Sequence, residues 1–325
     1  MHVVDLNKKK IWRWMIVFLG VLVVVINGIG FALGDFLYRE TRDLQAHIQA
    51  GNAGPPEPLL KQGLMDKAWE DVTVPSRFGY SLRGTYIENP RETDKTILFL
   101  HGFGENRAAG INYLDIYLSA GFNVLLVDSR AHGESGGSTV TWGYYEKYDV
   151  DTWIDWLSEC FPAGEIGIHG RSMGAATALM HAEMNENKKR VAFYIADSAY
   201  ADFESLLLLQ AKEYTSAAAW PKLLLKYADA AAYWHERYMF SLISPVRSVS
   251  RVTTPVLYLH GQEDASIPVA MVEKLYQATK GPKELHVFLQ TQHAAGIFRD
   301  RAGYEKTVRE FIRASEQQNT TRYLD

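Results

Sequence analysis

Six short apolar segments constrain this chain most: "KTILFLHG" at 95–102, "FNVLLVDS" at 122–129, "EIGIHG" at 165–170, "VAFYIADS" at 191–198, "PVLYLHG" at 255–261 and "LHVFLQ" at 285–290. Stretches this short, and this rich in β-branched and aromatic residues, have no polar face to turn toward water. They read as strands buried on both sides, which a mostly parallel sheet covered by helices requires. The intervals carry helical patterns at 107–119, 145–158, 173–185 and 268–279, the last with Pro268 near its start. Ahead of them, "WEDVTVPSRFGYSLRGTYIEN" offers two extended segments around Phe78–Gly79, an opening hairpin. The expected fold class is α/β, a mostly parallel central sheet with flanking helices.

Residues 200–245 break the rhythm between two expected strands. The stretch is rich in Ala, Leu, Tyr and Trp, and Pro221 is expected to split it into two helices. It reads as a helical insertion, either a lid or an enlarged crossover. Trp220 and Trp234 are available to line an apolar pocket or to form the insertion's own small core.

At 325 residues and 47% hydrophobic composition, the chain can build one core of roughly 200–250 residues with length to spare. The surplus lies at the front. Trp14 to Gly34 carry no charge, and only Asn27 interrupts them with a strongly polar group. Crossing a bilayer core of about 30 Å takes roughly 20 helical residues. Lys8, Lys9, Lys10 and Arg13 precede the run, and Asp35 and Glu40 follow it. The positive-inside rule then makes residues 1–10 a cytoplasmic basic N-terminus and 11–34 a transmembrane anchor. Residues 35–63 follow as a juxtamembrane segment and linker, with three prolines in "GNAGPPEP", and 64–325 form the globular domain. The expected location is the cell membrane, single-pass, with the globular domain extracytoplasmic and the lipid bilayer as a partner of the N-terminal helix. A cleaved signal sequence and a core helix are the competing readings.

The formal net charge is −4, and basic residues beyond the N-terminus are dispersed, so no stripe neutralises a nucleic-acid backbone. Cys160 is the only cysteine, which excludes an intramolecular disulfide; beside Phe161 it reads as a small core hydrophobe. The segment "DSRAHGESGG" at 128–137 holds His, Asp and Glu but no metal-ligand spacing. Its polar side chains read mainly as satisfying a local loop, with substrate contact by Asp128, Arg130 or His132 the alternative; Glu105 and Arg107 are open to the same two readings.

The chemistry centres on "GEIGIHGRSMGAATALM", residues 164–180. Ser172 stands between Gly170 and Gly174, where small residues let a strand turn abruptly into a helix and expose the hydroxyl. A serine hydroxyl needs a base to take its proton, and the base needs a carboxylate to orient it. Asp264 follows the strand "PVLYLHG" and His293 follows "LHVFLQ", so a parallel sheet delivers both to the edge that carries Ser172. Glu263 is the nearest rival acid. His101, His169 and His260 each precede a glycine at a strand end and read as local packing groups; His286 lies inside the last strand. Backbone N–H groups of Met173, after the serine, and Phe103, in "HGFGENR", are the candidates for stabilising a developing oxyanion.

Taken together, "HGFGENR" at 101–107, "GFNVLLVDSRAHGESGG" at 121–137, "GIHGRSMGAATAL" at 167–179 and "LHGQEDASIPV" at 259–269, followed by His293, resemble the α/β-hydrolase superfamily. Within it the chain is similar to membrane-associated bacterial hydrolases of the prolyl-oligopeptidase-like or BEM46-like branches. The resemblance implies an eight-stranded sheet, a Ser172–Asp264–His293 triad, an oxyanion hole from the Phe103 and Met173 amides, and hydrolysis of carboxylic esters or related acyl bonds. Neither metal nor cofactor is expected. The chain departs from many relatives at Gln292, where they carry Gly before the histidine. A peptidase acting on short peptides and an inactive, membrane-tethered binding protein are the alternatives.

Overall fold

The computed structural model describes residues 2–52, 69–211 and 219–322. Eight strands form one sheet: β1 (Trp69–Pro75), β2 (Ser81–Ile87), β3 (Thr96–Leu100), β4 (Asn123–Val127), β5 (Ile166–Arg171), β6 (Val191–Asp197), β7 (Val256–Gly261) and β8 (Lys283–Phe288). Their order is β1-β2-β4-β3-β5-β6-β7-β8. β1 and β2 are the expected hairpin; β2 also runs antiparallel to β4, and every other pairing is parallel.

Helices occupy the crossovers. A 3-10 turn (Arg107–Tyr113) and α2 (Leu114–Ser119) join β3 to β4, and α3 (Glu146–Cys160) and α4 (Met173–Lys188) follow β4 and β5. Among the described residues, α5 (Phe203–Ala211), α6 (Ala219–Glu236), a 3-10 turn (Phe240–Leu242) and α7 (Pro245–Val249) separate β6 from β7. α8 (Val269–Ala278) precedes β8, and α9 (Gly296–Arg299) and α10 (Arg301–Arg322) come after it. The helix expected over 107–119 thus opens as a tighter turn. Gly110 there lies so close to the sheet that an added Cβ would stand 2.4 Å from Leu126 Cδ2.

Successive residues of a strand face opposite sides, and β3 shows the result. Leu98 and Leu100 join a core with Trp153, Leu179 and Val272, whereas Ile97 and Phe99 join one with Tyr117, Phe193 and Phe311. α3, α4 and α8 therefore cover one face, and α2 and α10 the other. Full coverage is why the strands are apolar without alternation.

Two sequence expectations change. Pro221 is not itself the break between two helices; it lies inside α6, after Ala219 and Trp220, and residues 212–218 ahead of α6 are outside the described residues. Cys160 is exposed, not in the core, because it ends α3 on the solvent side, and Phe161 beside it packs against the core instead.

The chain forms two compact units, Met1–Asp43 with Leu208–Phe240 and Leu44–Leu207 with Ser241–Asp325. The middle of the 200–245 insertion thus belongs with the N-terminal helix α1 (His2–Asn52). Within α1, Lys10–Arg39 is 30 residues long and apolar enough to cross a membrane; a signal sequence has the same signature. The expected start of the globular domain at 64 falls outside the described residues.

Candidate active site

Ser172 occupies a conformation few residues adopt. Its φ of 53° and ψ of −116° lie outside the regions open to ordinary side chains, at the junction where β5 ends and α4 begins. The flanking glycines make the turn possible. A Cβ on Gly170 would stand 2.3 Å from Gly174 O, and one on Gly174 would stand 2.2 Å from Leu100 O. The Ser172 N–H donates to Asp197 O at 2.7 Å, tying the turn to β6.

His293 reaches this turn from the loop after β8. Its Nε2 is 2.9 Å from Ser172 Oγ and its Nδ1 is 2.7 Å from Asp264 Oδ2. The Asp264 side chain is buried, and its second oxygen accepts the Ile267 N–H at 2.8 Å. Gly261 permits the approach: a Cβ there would meet Thr291 O and Gln292 O, each at 2.4 Å. Glu263 is exposed, and its backbone N–H donates to Thr291 O of the histidine loop at 2.9 Å. Gln292 is also exposed and has no positive φ, so a side chain replaces the relatives' glycine without strain.

The loop after β3 is wired around one amide. Glu105 Oε2 accepts the Gly102 N–H at 2.9 Å, and His132 Nε2 accepts the Gly104 N–H at 3.1 Å. The N–H of Phe103, between them, has no acceptor among the described residues, and the same holds for Met173 at the start of α4. Burial holds the His132 pKa below its ordinary value, so the ring is neutral and Nε2 keeps the lone pair this arrangement needs. Its Nδ1 lies 2.9 Å from Arg130 O, which fixes the tautomer.

Residues 95–232 match the family described as alpha/beta hydrolase fold, and 216–316 match the dienelactone hydrolase family. The uncharacterized protein YqkD of Bacillus subtilis is 36% identical over 298 residues, 90% of this chain and 95% of that protein. The chain belongs to the α/β-hydrolase superfamily. Human protein ABHD12B is 26% identical over 68% of this chain, which spans 60% of that relative. The solved structure of the Pyrococcus furiosus esterase Pf2001 superposes with a TM-score of 0.63 at 25% identity, covering 81% of this chain and 95% of the esterase.

In this α/β hydrolase His101, His169 and His260 are buried and have local partners. Burial lowers His101 and His169 to about 3. His101 lies 2.7 Å from Gly102 O and accepts the Ser129 N–H at 3.0 Å, and His169 lies 2.5 Å from Tyr117 Oη. His260, fully buried, sits 2.7 Å from Ile267 O and 3.3 Å from Asp264 Oδ2, behind the acid. In the 128–137 loop Asp128 and Arg130 also have local partners. Asp128 is buried and accepts from the Arg107 N–H at 2.7 Å, from the Arg107 guanidinium and from the Glu134 N–H at 2.9 Å. Arg130 packs over the rings of Phe78, Tyr80 and Tyr145.

Sequence reasoning missed a second layer at the end of β6. Asp197 accepts O–H donors from Ser198 and Tyr304, both at 2.9 Å, while Ser198 Oγ accepts the Ala294 N–H at 3.1 Å. Burial raises the Asp197 pKa against the effect of those donors. One strand end thus holds the serine turn through its carbonyl and the histidine loop through Ser198. The signal was present: "ADS" closes a strand at the same sheet edge as Ser172.

Proposed function

We propose that this hydrolase is a serine esterase that cleaves small or medium carboxylic esters, or related acyl bonds, through an acyl-enzyme on Ser172. The observation that carries the reading is the relay of 2.9 Å from Ser172 Oγ to His293 Nε2 and 2.7 Å from His293 Nδ1 to Asp264. With Nδ1–H donating to the carboxylate, Nε2 holds a lone pair toward the serine. As Oγ attacks the substrate carbonyl carbon, His293 Nε2 takes its proton and the carbonyl oxygen becomes an oxyanion facing the Phe103 and Met173 N–H groups. Collapse re-forms the carbonyl and breaks the bond to the leaving alcohol, which receives the proton from Nε2. Water then gives a proton to His293 and attacks the acyl carbon; the second collapse frees the acid and returns the proton to Ser172 Oγ. Asp264 stays ionised and orients the ring.

The ester preference is supported by the similarity to a protein solved as an esterase. The same proposal includes a single-pass location with α1 as anchor and the catalytic domain extracytoplasmic, supported by Lys8, Lys9, Lys10 and Arg13 ahead of the uncharged run.

The test is mass-spectrometric mapping of a fluorophosphonate adduct on the full chain in detergent, beside Ser172→Ala, followed by ester and peptide anilide panels. An adduct on Ser172, absent from Ser172→Ala, with faster turnover of esters is the expected result. Equal labelling of the variant would overturn the nucleophile, preference for peptides would overturn the esterase, and a folded protein that neither labels nor turns over would be a binding protein.

A further inference from the structure

α6 lies along α1, and the contact explains three features of the N-terminal run. Asn27, the polar interruption in the uncharged stretch, donates to Val23 O at 2.8 Å and accepts the Tyr227 O–H at 2.9 Å. Gly30 and Gly34 open a groove on the same face. A Cβ on Gly30 would stand 2.4 Å from the Tyr227 ring, and one on Gly34 would stand 2.4 Å from the Tyr227 carbonyl carbon. Beyond the groove, Asp35 Oδ1 is 2.6 Å from His235 Nε2, and Tyr38 stacks on the His235 ring at 5.1 Å. Contacts that advance from 27 to 38 on one helix and from 227 to 235 on the other make the two helices parallel in sense.

What α6 leaves uncovered is apolar and ordered. Trp220, Leu223, Tyr227, Ala230 and Trp234 recur at helical spacing and form one stripe. Tyr227 faces α1, whereas Trp220, Leu223 and Trp234 remain 52%, 59% and 68% exposed. On α1, Ile26, Ile29 and Leu33 are exposed apolar residues as well. Because the helices are parallel and Tyr227 lies against Gly34, Trp220 stands about 10 Å further toward the uncharged run at 1.5 Å per residue. Lys222 and Lys226 are exposed beside the stripe. Long basic side chains next to indoles suit the headgroup region, where the stems lie in apolar surroundings and the ammonium groups reach phosphates.

We infer that α6 is a second membrane contact: docked on the anchor through Gly30 and Gly34, it lies in the bilayer interface with Trp220 and Leu223 against lipid. The inference rests on the reading of α1 as a membrane anchor. The insertion is then held at the bilayer surface by the same groove that satisfies Asn27.

The test uses the full chain in vesicles of phosphatidylcholine and phosphatidylglycerol. In a Cys160→Ser background, Val21→Cys, Leu223→Cys and Lys306→Cys each carry an environment-sensitive fluorophore. Doxyl-labelled phospholipid and aqueous iodide are the quenchers. Labels at 21 and 223 should be quenched by the lipid and protected from iodide several-fold relative to 306. Gly34→Leu, which fills the groove, should shift the 223 label toward iodide while leaving the 21 label in lipid. If 21 is in lipid and 223 is quenched by iodide like 306, the second contact is overturned and the anchor stands. If 223 is shielded from both quenchers, a protein surface covers the stripe and the lipid assignment fails. If 21 itself is open to iodide, both readings fall.

Discussion

Arg171, the residue before Ser172, forms an ion pair with Glu105 in the loop that carries Phe103. The second carboxylate oxygen of Glu105 accepts the Gly102 N–H at 2.9 Å, so one side chain links the serine turn to the amide next to Phe103, the proposed oxyanion donor. Glu105→Ala removes both links, and Glu105→Gln keeps an acceptor for Gly102 while losing the charge. Misplacing a reacting geometry by about 1 Å costs about 100-fold; the Ala variant should lose roughly 10- to 100-fold in kcat with a smaller change in KM, and Gln should lose less. Both should still label at Ser172. Steady-state kinetics on the best ester would decide, and an unchanged kcat in Glu105→Ala would remove the positioning role.

Asp264→Asn should lower turnover by about 10⁴ while the fold persists. The amide oxygen can still accept the Ile267 N–H, now held at 2.8 Å. The amide NH₂ turned toward His293 would donate to Nδ1 and force the proton onto Nε2, which then cannot accept from serine. Turnover within tenfold of the parent would transfer the acid role elsewhere, with Glu263 examined first.

Gly174→Ala should destabilise the catalytic domain by about 1–3 kcal/mol, the usual cost of forcing atoms into a filled site. The added carbon would meet Leu100 O at 2.2 Å, and a backbone carbonyl cannot rotate away as a flexible side chain does. Thermal unfolding of the purified variant checks it; an unaltered Tm would show that β3 yields.

Asp149 gives a pH signature. Burial raises its carboxyl to about 6, although the O–H groups of Ser76 and Tyr80 both donate to it at 2.5 Å. A folded pKa above the unfolded value means the native state binds the proton more tightly. This group's stabilisation is therefore complete below about pH 4 and lost as pH rises through about 6, a change of at most about 3 kcal/mol. Urea unfolding between pH 4 and 7 should show Asp149→Asn with a flatter dependence than the parent across that window. Parallel curves would assign the window to other groups.

The serine turn was legible in the sequence because its requirements are local. Two glycines beside a serine, after an apolar strand and before a helix, describe a sharp turn whatever surrounds it. Asp264 and His293 were legible for a related reason: each follows a strand directly, and a parallel sheet sends all such loops to one edge. Glu105 with Arg171, Asp197 with Tyr304, and His132 with Gly104 left no comparable trace. Their partners are 66, 107 and 28 residues apart, and no local period records which loops will meet. Pro221 shows the opposite failure: a strong local signal read as a helix break lies inside α6.

By itself, then, the sequence determined the α/β class, the serine turn, the order of the site residues and an uncharged stretch long enough to cross a bilayer, because strand burial, backbone sterics and hydrocarbon thickness all act on contiguous residues. Only the tertiary structure decided that Glu105 and His132 take the Gly102 and Gly104 amides, that Ser198 at the end of β6 takes the Ala294 amide of the histidine loop, and that Asn27, Gly30 and Gly34 receive α6. Those outcomes depend on atoms brought within a few ångströms by packing across the whole sheet, or across nearly 200 residues of chain between Asn27 and Tyr227, and such distances are set only when the chain has folded.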